Sequence, residues 1–219
     1  MFPISDSIKS GKFPILNITI IGITVFVFIQ QFLSPNPDAF IQQYALIPAN
    51  INFSNLKTLY PFITAIFLHG GFLHILSNMW FLWVFGDDAE ARLGKISFLL
   101  LYFLAGVLGN LVQYFLMPSS TIPMLGASGA IAGILGAYFI LFPYSKIKSL
   151  VFIFFFFTVV EIPAPFMLGY WFLLQLLSGA VALPFSSSTG GVAFWAHVGG
   201  FITGVVIGRM FRGKAGALD

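Results

Sequence analysis

The sequence predicts an all-α polytopic membrane protein, a bundle of six transmembrane helices with a short, central fourth helix. Hydrophobic residues make up 58% of the 219 residues and charged residues only 8%, about a third of the charge of a soluble domain. The mean hydropathy is +0.97. Five or six apolar windows also approach the length of about 20 residues that a helix needs to cross a hydrocarbon core of about 30 Å.

The apolar windows give the helices in order. The first covers residues 15–33 and stops at Ser34-Pro35-Asn36-Pro37, before a long mixed loop over residues 36–60. The second runs from residue 72 to between 86 and 90, the third covers 96–117, the fourth 128–141, the fifth 166–183 and the sixth 192–211. A loop rich in serine and glycine, residues 184–191, separates the last two helices.

Residues 147–160 form an apolar, phenylalanine-rich stretch that is only about 14 residues long before Glu161 and Pro163. A stretch of that length is typical of an interfacial or re-entrant segment rather than of a span. A seventh span here would invert the fifth helix and move the basic residues after the sixth helix to the other side. The sequence therefore favours six spans.

The basic residues predict the orientation, because lysine and arginine are enriched in cytoplasmic loops. With six spans, nine of the ten basic residues fall on the side of both termini, and only Lys57 falls opposite. We expect both termini to be cytoplasmic. The nine are Lys9, Lys12, Arg92, Lys95, Lys146, Lys148, Arg209, Arg212 and Lys214.

Composition excludes several other classes of function. The chain has no cysteine, which rules out disulfides, thiol catalysis and cysteine metal sites. The basic residues are scattered rather than massed, so nucleic acid is not a predicted partner. Asp87, Asp88 and Glu90 precede Arg92 and Lys95, which indicates a solvated, salt-bridged loop rather than a metal cluster. No metal or cofactor is predicted.

The stretch Gly126-Ala127-Ser128-Gly129 begins the fourth helix. At about 1.5 Å per residue its 14 residues extend about 21 Å, which is less than the hydrocarbon core. Ser128 would then start the helix below the membrane surface. The preceding loop, residues 118–127, must dip into the membrane, and this is tolerated only where protein or a water-filled cavity surrounds the loop.

Polar side chains from two other helices converge on this depth. His197 lies about 8 Å inside the sixth helix, and His74 and Asn78 share a face of the second at i, i+4 spacing. Glycines at helical spacing let helix backbones approach closely, which predicts tight packing of the fourth helix on the sixth. These glycines are Gly129, Gly133 and Gly136 in the fourth helix and Gly200, Gly204 and Gly208 in the sixth.

This convergence suits nucleophilic catalysis. A serine needs an adjacent base, and a tetrahedral oxyanion needs preset donors. His197 is the candidate base, and the Ser128 amide, Asn78 and His74 are candidate donors. No acidic residue is placed in the spans near His197, so we predict a Ser-His dyad in which helix packing orients the imidazole. One alternative is ordinary helix packing around a buried serine. Another is a non-catalytic membrane protein, either a transporter or a binder of transmembrane segments.

Three further residues carry weaker indications. His69 precedes the second helix, where a structural role in hydrogen-bonding a loop is expected. Trp171 and Gln175 lie one turn apart in the fifth helix. They line either a gate through which a substrate enters or the packed core.

The motifs resemble those of the rhomboid family of intramembrane serine proteases. The resemblance covers about residues 60–211 and includes a segment Gly86-x-x-x-Glu90-x-x-x-Gly94. Three motifs occur in the family's order: His69-x-x-x-x-His74-x-x-x-Asn78, Gly126-x-Ser128-Gly129 and Ala196-His197-x-x-Gly200-x-x-x-Gly204.

The resemblance implies a serine endopeptidase that cuts transmembrane segments of other membrane proteins near their outer end, at small residues and without metal or cofactor. Ser128 would be the nucleophile and His197 the general base. His74, Asn78 and the Ser128 amide would form the oxyanion hole, with Gly126 shaping the loop that lines it. A non-catalytic relative that binds transmembrane segments is the alternative, as is a transporter.

We expect one rhomboid-like membrane domain over residues 1–219 with its core at about 60–211, because one domain is usual at this length. The basic residues place a short N-terminus at 1–14 and a short tail at 212–219 in the cytoplasm. The expected location is a bacterial-type inner membrane with the active site toward the outer face. The expected partners are transmembrane substrates and the lipid bilayer.

Two departures from the family stand out. The tryptophan-arginine pair of many members is missing from residues 36–70. Ala132 stands where some members place a tyrosine against the catalytic histidine, so another group must orient His197.

Overall fold

The structure, a computed structural model, describes residues 2–8, 10–153, 155–183 and 192–213. Within these ranges helices dominate. They are α1 (Ile15–Leu33), α2 (Pro37–Tyr44), α3 (Pro61–Thr64), α4 (Phe72–Leu93), α5 (Lys95–Leu116), α6 (Ser128–Leu141), α7 (Ala164–Ala182) and α8 (Phe194–Arg212). Single 3₁₀ turns cover Pro48–Asn50, Leu56–Thr58 and Ala65–Phe67. The predicted loop 184–191, the end of the predicted tail, and Lys9 and Lys214 lie outside the described residues.

The apolar helices begin and end close to the predicted windows, although fewer than the six predicted helices qualify as spans among the described residues. Among the described residues α1, α5, α7 and α8 are long and apolar enough to cross a membrane. A fifth crossing results if Leu56–Phe67 and Phe72–Leu93, bent by 78° at the break between them, count as one span. The 14-residue α6 is shorter, with the predicted bounds. The long loop predicted for residues 36–60 contains α2 and two 3₁₀ turns.

The described residues are mostly helical, as predicted, but they also include a three-stranded antiparallel sheet that the all-α prediction lacked. Strands β1 (Phe2–Asp6), β2 (Lys146–Ile153) and β3 (Phe156–Pro163) pair in that order. The stretch predicted as interfacial or re-entrant is thus a β-hairpin. In β2 the buried Ile147 and Ser149 alternate with the exposed Lys146 and Lys148, the period of two expected of a half-buried strand.

The first strand ties the N-terminal segment to the bundle. Phe2 pairs with Leu150 in β2 and stacks on Trp80 of α4 at 5.4 Å between ring centroids. The Trp80 indole Nε1 donates to the carbonyl oxygen of Pro3 over 2.6 Å, and the Tyr138 hydroxyl of α6 bonds to Asp6 Oδ2 over 2.6 Å. Residues predicted as a short terminal tail are therefore part of the packed structure.

The acidic end of α4 also differs from the prediction. The helix continues to Leu93, and Asp88 and Glu90 are buried, at 2% and 4% exposure. The Glu90 carboxylate accepts the backbone N–H groups of Leu16 (3.2 Å) and Asn17 (2.8 Å). A helix start leaves amides without intrahelical partners and favours negative charge. Glu90 thus caps α1, and the prediction of a solvated, salt-bridged loop is wrong.

Helix α6 is the centre of the bundle, with 12 of its 14 residues buried. Its glycines contact α8 backbone to backbone, as predicted. A Cβ added at Gly200 would overlap the carbonyl oxygen of Gly129, and one added at Gly204 would overlap that of Gly133. This close approach brings the start of α6 against α8 at the level of His197.

Candidate active site

The structure brings Ser128 and His197 into direct contact. The Ser128 hydroxyl Oγ lies 2.7 Å from the His197 ring Nε2. Ser128 is the first residue of α6, and His197 is in the first turn of α8. Next to this pair, the backbones of Gly129 and Gly200 are in contact. This contact fixes the distance between the two side chains, because neither glycine has a side chain to separate the helices.

Gln113 of α5 holds the start of α8 in place. Its side-chain oxygen Oε1 accepts the backbone N–H groups of Trp195 (3.0 Å) and Ala196 (3.3 Å). Both amides lie in the first turn of α8, where N–H groups lack i−4 partners, and the Ala196 N–H also donates to the Ala193 carbonyl oxygen over 3.0 Å. The side chain of Gln113 therefore fixes the backbone directly before His197. Gln113 was not predicted as a site residue. Its one signal in the sequence is a polar amide side chain within an apolar helix.

His74 and Gly126 form a recess beside the serine. Gly126 has a φ of 126°, a backbone conformation that favours glycine. A Cβ built on it would lie 2.9 Å from His74 Nε2 and 3.7 Å from Ser128 Oγ. The missing side chain thus leaves a space between the histidine ring and the serine hydroxyl. Gly126 does more than shape the loop, because any side chain would fill this space.

The orientation of the His74 ring follows from its other nitrogen. The Gly70 backbone N–H donates to His74 Nδ1 over 3.2 Å. A neutral imidazole carries one proton, so the nitrogen that accepts leaves the other as the donor. His74 therefore presents an Nε2–H group to the recess beside Gly126.

Asn78 lies one turn below His74 and lines the same cavity. Its side-chain amide Nδ2 donates to the backbone carbonyl of His74 over 3.0 Å. The amide group has two N–H bonds, so one remains for another acceptor. The Ser128 backbone N–H, at the start of α6, belongs to the amides without an intrahelical partner. His74, Asn78 and Ser128 thus line one cavity.

His69 supports the loop before the serine, as predicted. It is fully buried, and its ring Nε2 accepts the backbone N–H of Ala127 over 3.5 Å. Gln31 of α1 holds its backbone from both sides, donating to the His69 carbonyl (2.6 Å) and accepting the His69 N–H (3.2 Å). A chain of hydrogen bonds thus links α1 to the serine loop.

Trp171 and Gln175 of α7 both contact His197. The Trp171 ring stacks on the imidazole with centroids 5.9 Å apart and planes 29° apart. Gln175 Oε1 lies 2.8 Å from His197 Nδ1, the nitrogen that faces away from the serine. Contrary to the prediction, helix packing alone therefore does not orient His197, because the side-chain amide of Gln175 also contacts the ring directly. From the sequence, both residues are expected at a gate or in the core. Their contacts with His197 were not predicted.

A cavity of about 740 Å³ opens above the serine. Its lining includes His74, Asn78, Ser128, Ala132, Trp171 and His197. Apolar walls with a few convergent polar groups are typical of ligand sites. Among the residues that the structure describes, no group of three or more histidine, aspartate or glutamate side chains could hold a metal ion. The polar groups that remain suit the binding and activation of a carbonyl group.

Comparisons with known proteins give the family. Residues 56–214 match the Rhomboid domain family. Rhomboid protein 1, mitochondrial, of Saccharomyces cerevisiae is 32% identical over 195 residues, which are 86% of this chain and 51% of that protein. Presenilin-associated rhomboid-like protein A, mitochondrial, of Danio rerio is 30% identical over 151 residues, 66% of this chain and 36% of that protein.

Rhomboid protease GluP of Bacillus subtilis is 41% identical over 75 residues, which are 34% of this chain and 14% of that protein. The chain thus spans about half the length, or less, of these curated relatives. The family match covers most of the chain, and the apolar helices make it an integral, multi-pass membrane protein. The chain belongs to the rhomboid family.

Proposed function

We propose that this protein is an intramembrane serine endopeptidase that cleaves transmembrane segments of other membrane proteins. The observation that carries the proposal is the 2.7 Å contact between Ser128 Oγ and His197 Nε2 at the base of a cavity. A serine hydroxyl is a weak nucleophile unless a base lies within hydrogen-bond reach. This distance is within that reach.

The reaction would proceed through an acyl-enzyme. Ser128 Oγ attacks the carbonyl carbon of the scissile peptide bond while His197 Nε2 takes the hydroxyl proton. The tetrahedral intermediate collapses as the C–N bond breaks, and His197 returns the proton to the leaving amine. Water then attacks the ester on Ser128 with His197 again as the base, which releases the new carboxylate and restores the serine.

The recess beside Gly126 would hold the oxyanion. It lies between Ser128 Oγ and the Nε2–H of His74, with the Ser128 amide and the second N–H of Asn78 as further donors. Preset donors of this kind stabilise the charge that develops in the transition state without reorganisation. The small volume at Gly126 is what allows a substrate oxygen to reach them.

The membrane orientation we propose places the active site toward the outer face. Ser128 starts α6 and Lys146 follows its end, and the helix between them extends about 21 Å. Lys12 contacts the Ala91 carbonyl at the far end of α4, so basic residues from several segments gather opposite the serine. Basic ends are cytoplasmic in most membrane proteins. This arrangement supports cytoplasmic termini.

Labelling by a fluorophosphonate probe tests the nucleophile. The purified full-length chain in detergent is expected to react with the probe at Ser128, and the Ser128→Ala variant is expected not to react. Equal labelling of both proteins, or labelling at another serine by peptide mass, would refute the assignment. An unreactive but well-folded wild type would favour the alternative, a non-catalytic protein that binds transmembrane segments or transports.

A further inference from the structure

We propose that Gln175 of α7 is a positioning residue for His197 and supplies the orienting contact that Ala132 cannot. The inference rests on the proposed function, since it concerns how the imidazole acts as a base. It assigns Gln175 a role in the chemistry rather than in a gate. It also makes α7 part of the catalytic apparatus.

The position of Gln175 differs from the position expected of a gate residue. Trp171 lines the cavity, whereas Gln175 is not among the described residues that line it. Its Oε1 instead reaches His197 Nδ1 at 2.8 Å, on the side of the ring away from Ser128. A substrate in the cavity would meet Trp171 and the serine before it could meet Gln175.

The contact selects the tautomer that the reaction requires. An amide oxygen accepts hydrogen bonds and cannot donate, so the proton of the neutral ring lies on Nδ1. Nε2 then carries the lone pair and faces the Ser128 hydroxyl at 2.7 Å. In a Ser-His-Asp triad a carboxylate does this work by holding the imidazole in the correct tautomer and orientation. Here a neutral amide is in the corresponding place.

Ala132 of α6 cannot orient His197 by a hydrogen bond, so the orienting contact comes from another helix, α7. Ala132 lies one turn after Ser128 and is fully buried, but its methyl group has no hydrogen-bonding atom. The face of the imidazole is instead covered by Trp171, whose ring stacks on it at 5.9 Å. Trp171 and Gln175 are four residues apart and so project from the same face of α7. Together they fix both the tilt and the protonation of His197.

Other contacts hold α7 against α8 near the same level. The Trp195 indole Nε1 donates to the Gly179 carbonyl over 3.2 Å, and Phe172 stacks on Phe201 with centroids 4.6 Å apart. An outward movement of the middle of α7 would withdraw Gln175 from His197 along with these contacts. The packing of α7 on α8 therefore keeps Gln175 within reach of His197.

Substitutions at Gln175 test the proposal. Gln175→Leu removes the acceptor, and Gln175→Asn keeps the amide but shortens its reach by one methylene. In both variants we expect the rate of fluorophosphonate labelling at Ser128, and kcat for a reconstituted single-span test substrate, to fall at least about 10-fold with little change in KM. A positioned general base contributes about 10²- to 10⁴-fold. Gln175→Glu restores an acceptor and is expected to recover most of the rate.

Leu177→Ala is the matched control, since Leu177 lies two residues along α7 and is 55% exposed. It is expected to label at the wild-type rate. The proposal is overturned if Gln175→Leu and Gln175→Asn label like wild type, or if they change KM alone, as a gate residue would. Should Gln175→Leu fail to fold, the Asn and Glu variants decide. Failure of the protease assignment gives a different result from failure of this proposal, because the wild type itself would then not be labelled by the fluorophosphonate probe.

Discussion

Gly204 of α8 lies directly against the carbonyl oxygen of Gly133 in α6, with no room for a Cβ between them. The atoms in contact are backbone on both sides, so neither can rotate away. The same relationship repeats one turn higher between Gly200 and Gly129. The distance between Ser128 and His197 therefore depends on two pairs of glycines that are not among the described residues lining the cavity.

Gly204→Ala is expected to force α6 and α8 apart. Overpacking of this kind costs about 1–3 kcal/mol of stability, and the separation would also lengthen the contact between Ser128 and His197. Thermal unfolding in detergent and the rate of fluorophosphonate labelling would both report it. Gly22→Ala in α1 is the control, because a Cβ at Gly22 meets nothing within 4 Å and alanine favours a helix. Equal behaviour of the two variants would contradict the account.

Gly126→Ala is expected to block the oxyanion recess. The new methyl group would lie 2.9 Å from His74 Nε2, in the space assigned to the substrate oxygen. Cleavage is expected to fall by about 10²-fold or more, the loss that follows removal of one oxyanion donor.

Gly94→Ala separates that steric effect from backbone strain. Gly94 also has a positive φ, 79°, but a Cβ there meets nothing within 4 Å. Both variants carry a conformational cost of about 1–3 kcal/mol, yet only Gly126→Ala should lose activity per folded molecule. Similar losses in both would mean that strain, and not the recess, is responsible.

Asn78→Ala and His197→Ala are expected to differ in degree. In the proposed mechanism Asn78 supplies one donor among three, and loss of one donor costs about 10²- to 10³-fold in rate. Loss of His197 removes the base, and residual cleavage should be undetectable. Product formation from a test transmembrane substrate, measured over hours at matched protein concentration, distinguishes the two. Equal residual activity in both variants would disprove the assigned roles.

The hydrogen bond between Asp6 and Tyr138 is expected to anchor β1 to α6. In a double-mutant cycle of Asp6→Asn and Tyr138→Phe, the coupling free energy should be about 0.5–3 kcal/mol, the range for hydrogen bonds with neutral or charged partners. Thermal or denaturant unfolding in detergent would give the four free energies. Ser5→Ala, exposed on the same strand, should leave stability unchanged, and a coupling near zero would show that the contact does not stabilise the fold.

The sequence was sufficient to predict the six apolar helices α1, α4, α5, α6, α7 and α8, because each is an apolar run bounded by proline, glycine or charge. The short helices α2 and α3 were not predicted. Helices α1 and α6 have the predicted bounds. The hairpin was missed because its phenylalanines and valines occur on both faces, which hides the period of two expected of a strand. Its pairing with β1, moreover, joins Phe2 to Leu150, a contact between the two parts of the chain that no local pattern reveals.

The candidate site was predictable where chemistry and spacing coincide. Ser128 and His197 follow from a glycine-framed serine and an intramembrane histidine at matching depth, and His74 and Asn78 from i, i+4 spacing. The supporting contacts of Gln113, Gln175 and Glu90 depend on which helices become neighbours. A glutamine in an apolar helix predicts that a hydrogen-bonding partner exists, but only the packed bundle shows whether that partner is a helix start or an imidazole.

Cleavage in a lipid bilayer is the most direct test of the central claim, that Ser128 and His197 together hydrolyse peptide bonds within the membrane. The full-length chain would be reconstituted in liposomes with a single-span test protein that has small residues near one end of its span. We predict two products whose masses place the cut within or next to that span, and none with Ser128→Ala. Products that form equally with Ser128→Ala, or no products from a wild type that folds and labels, would contradict it.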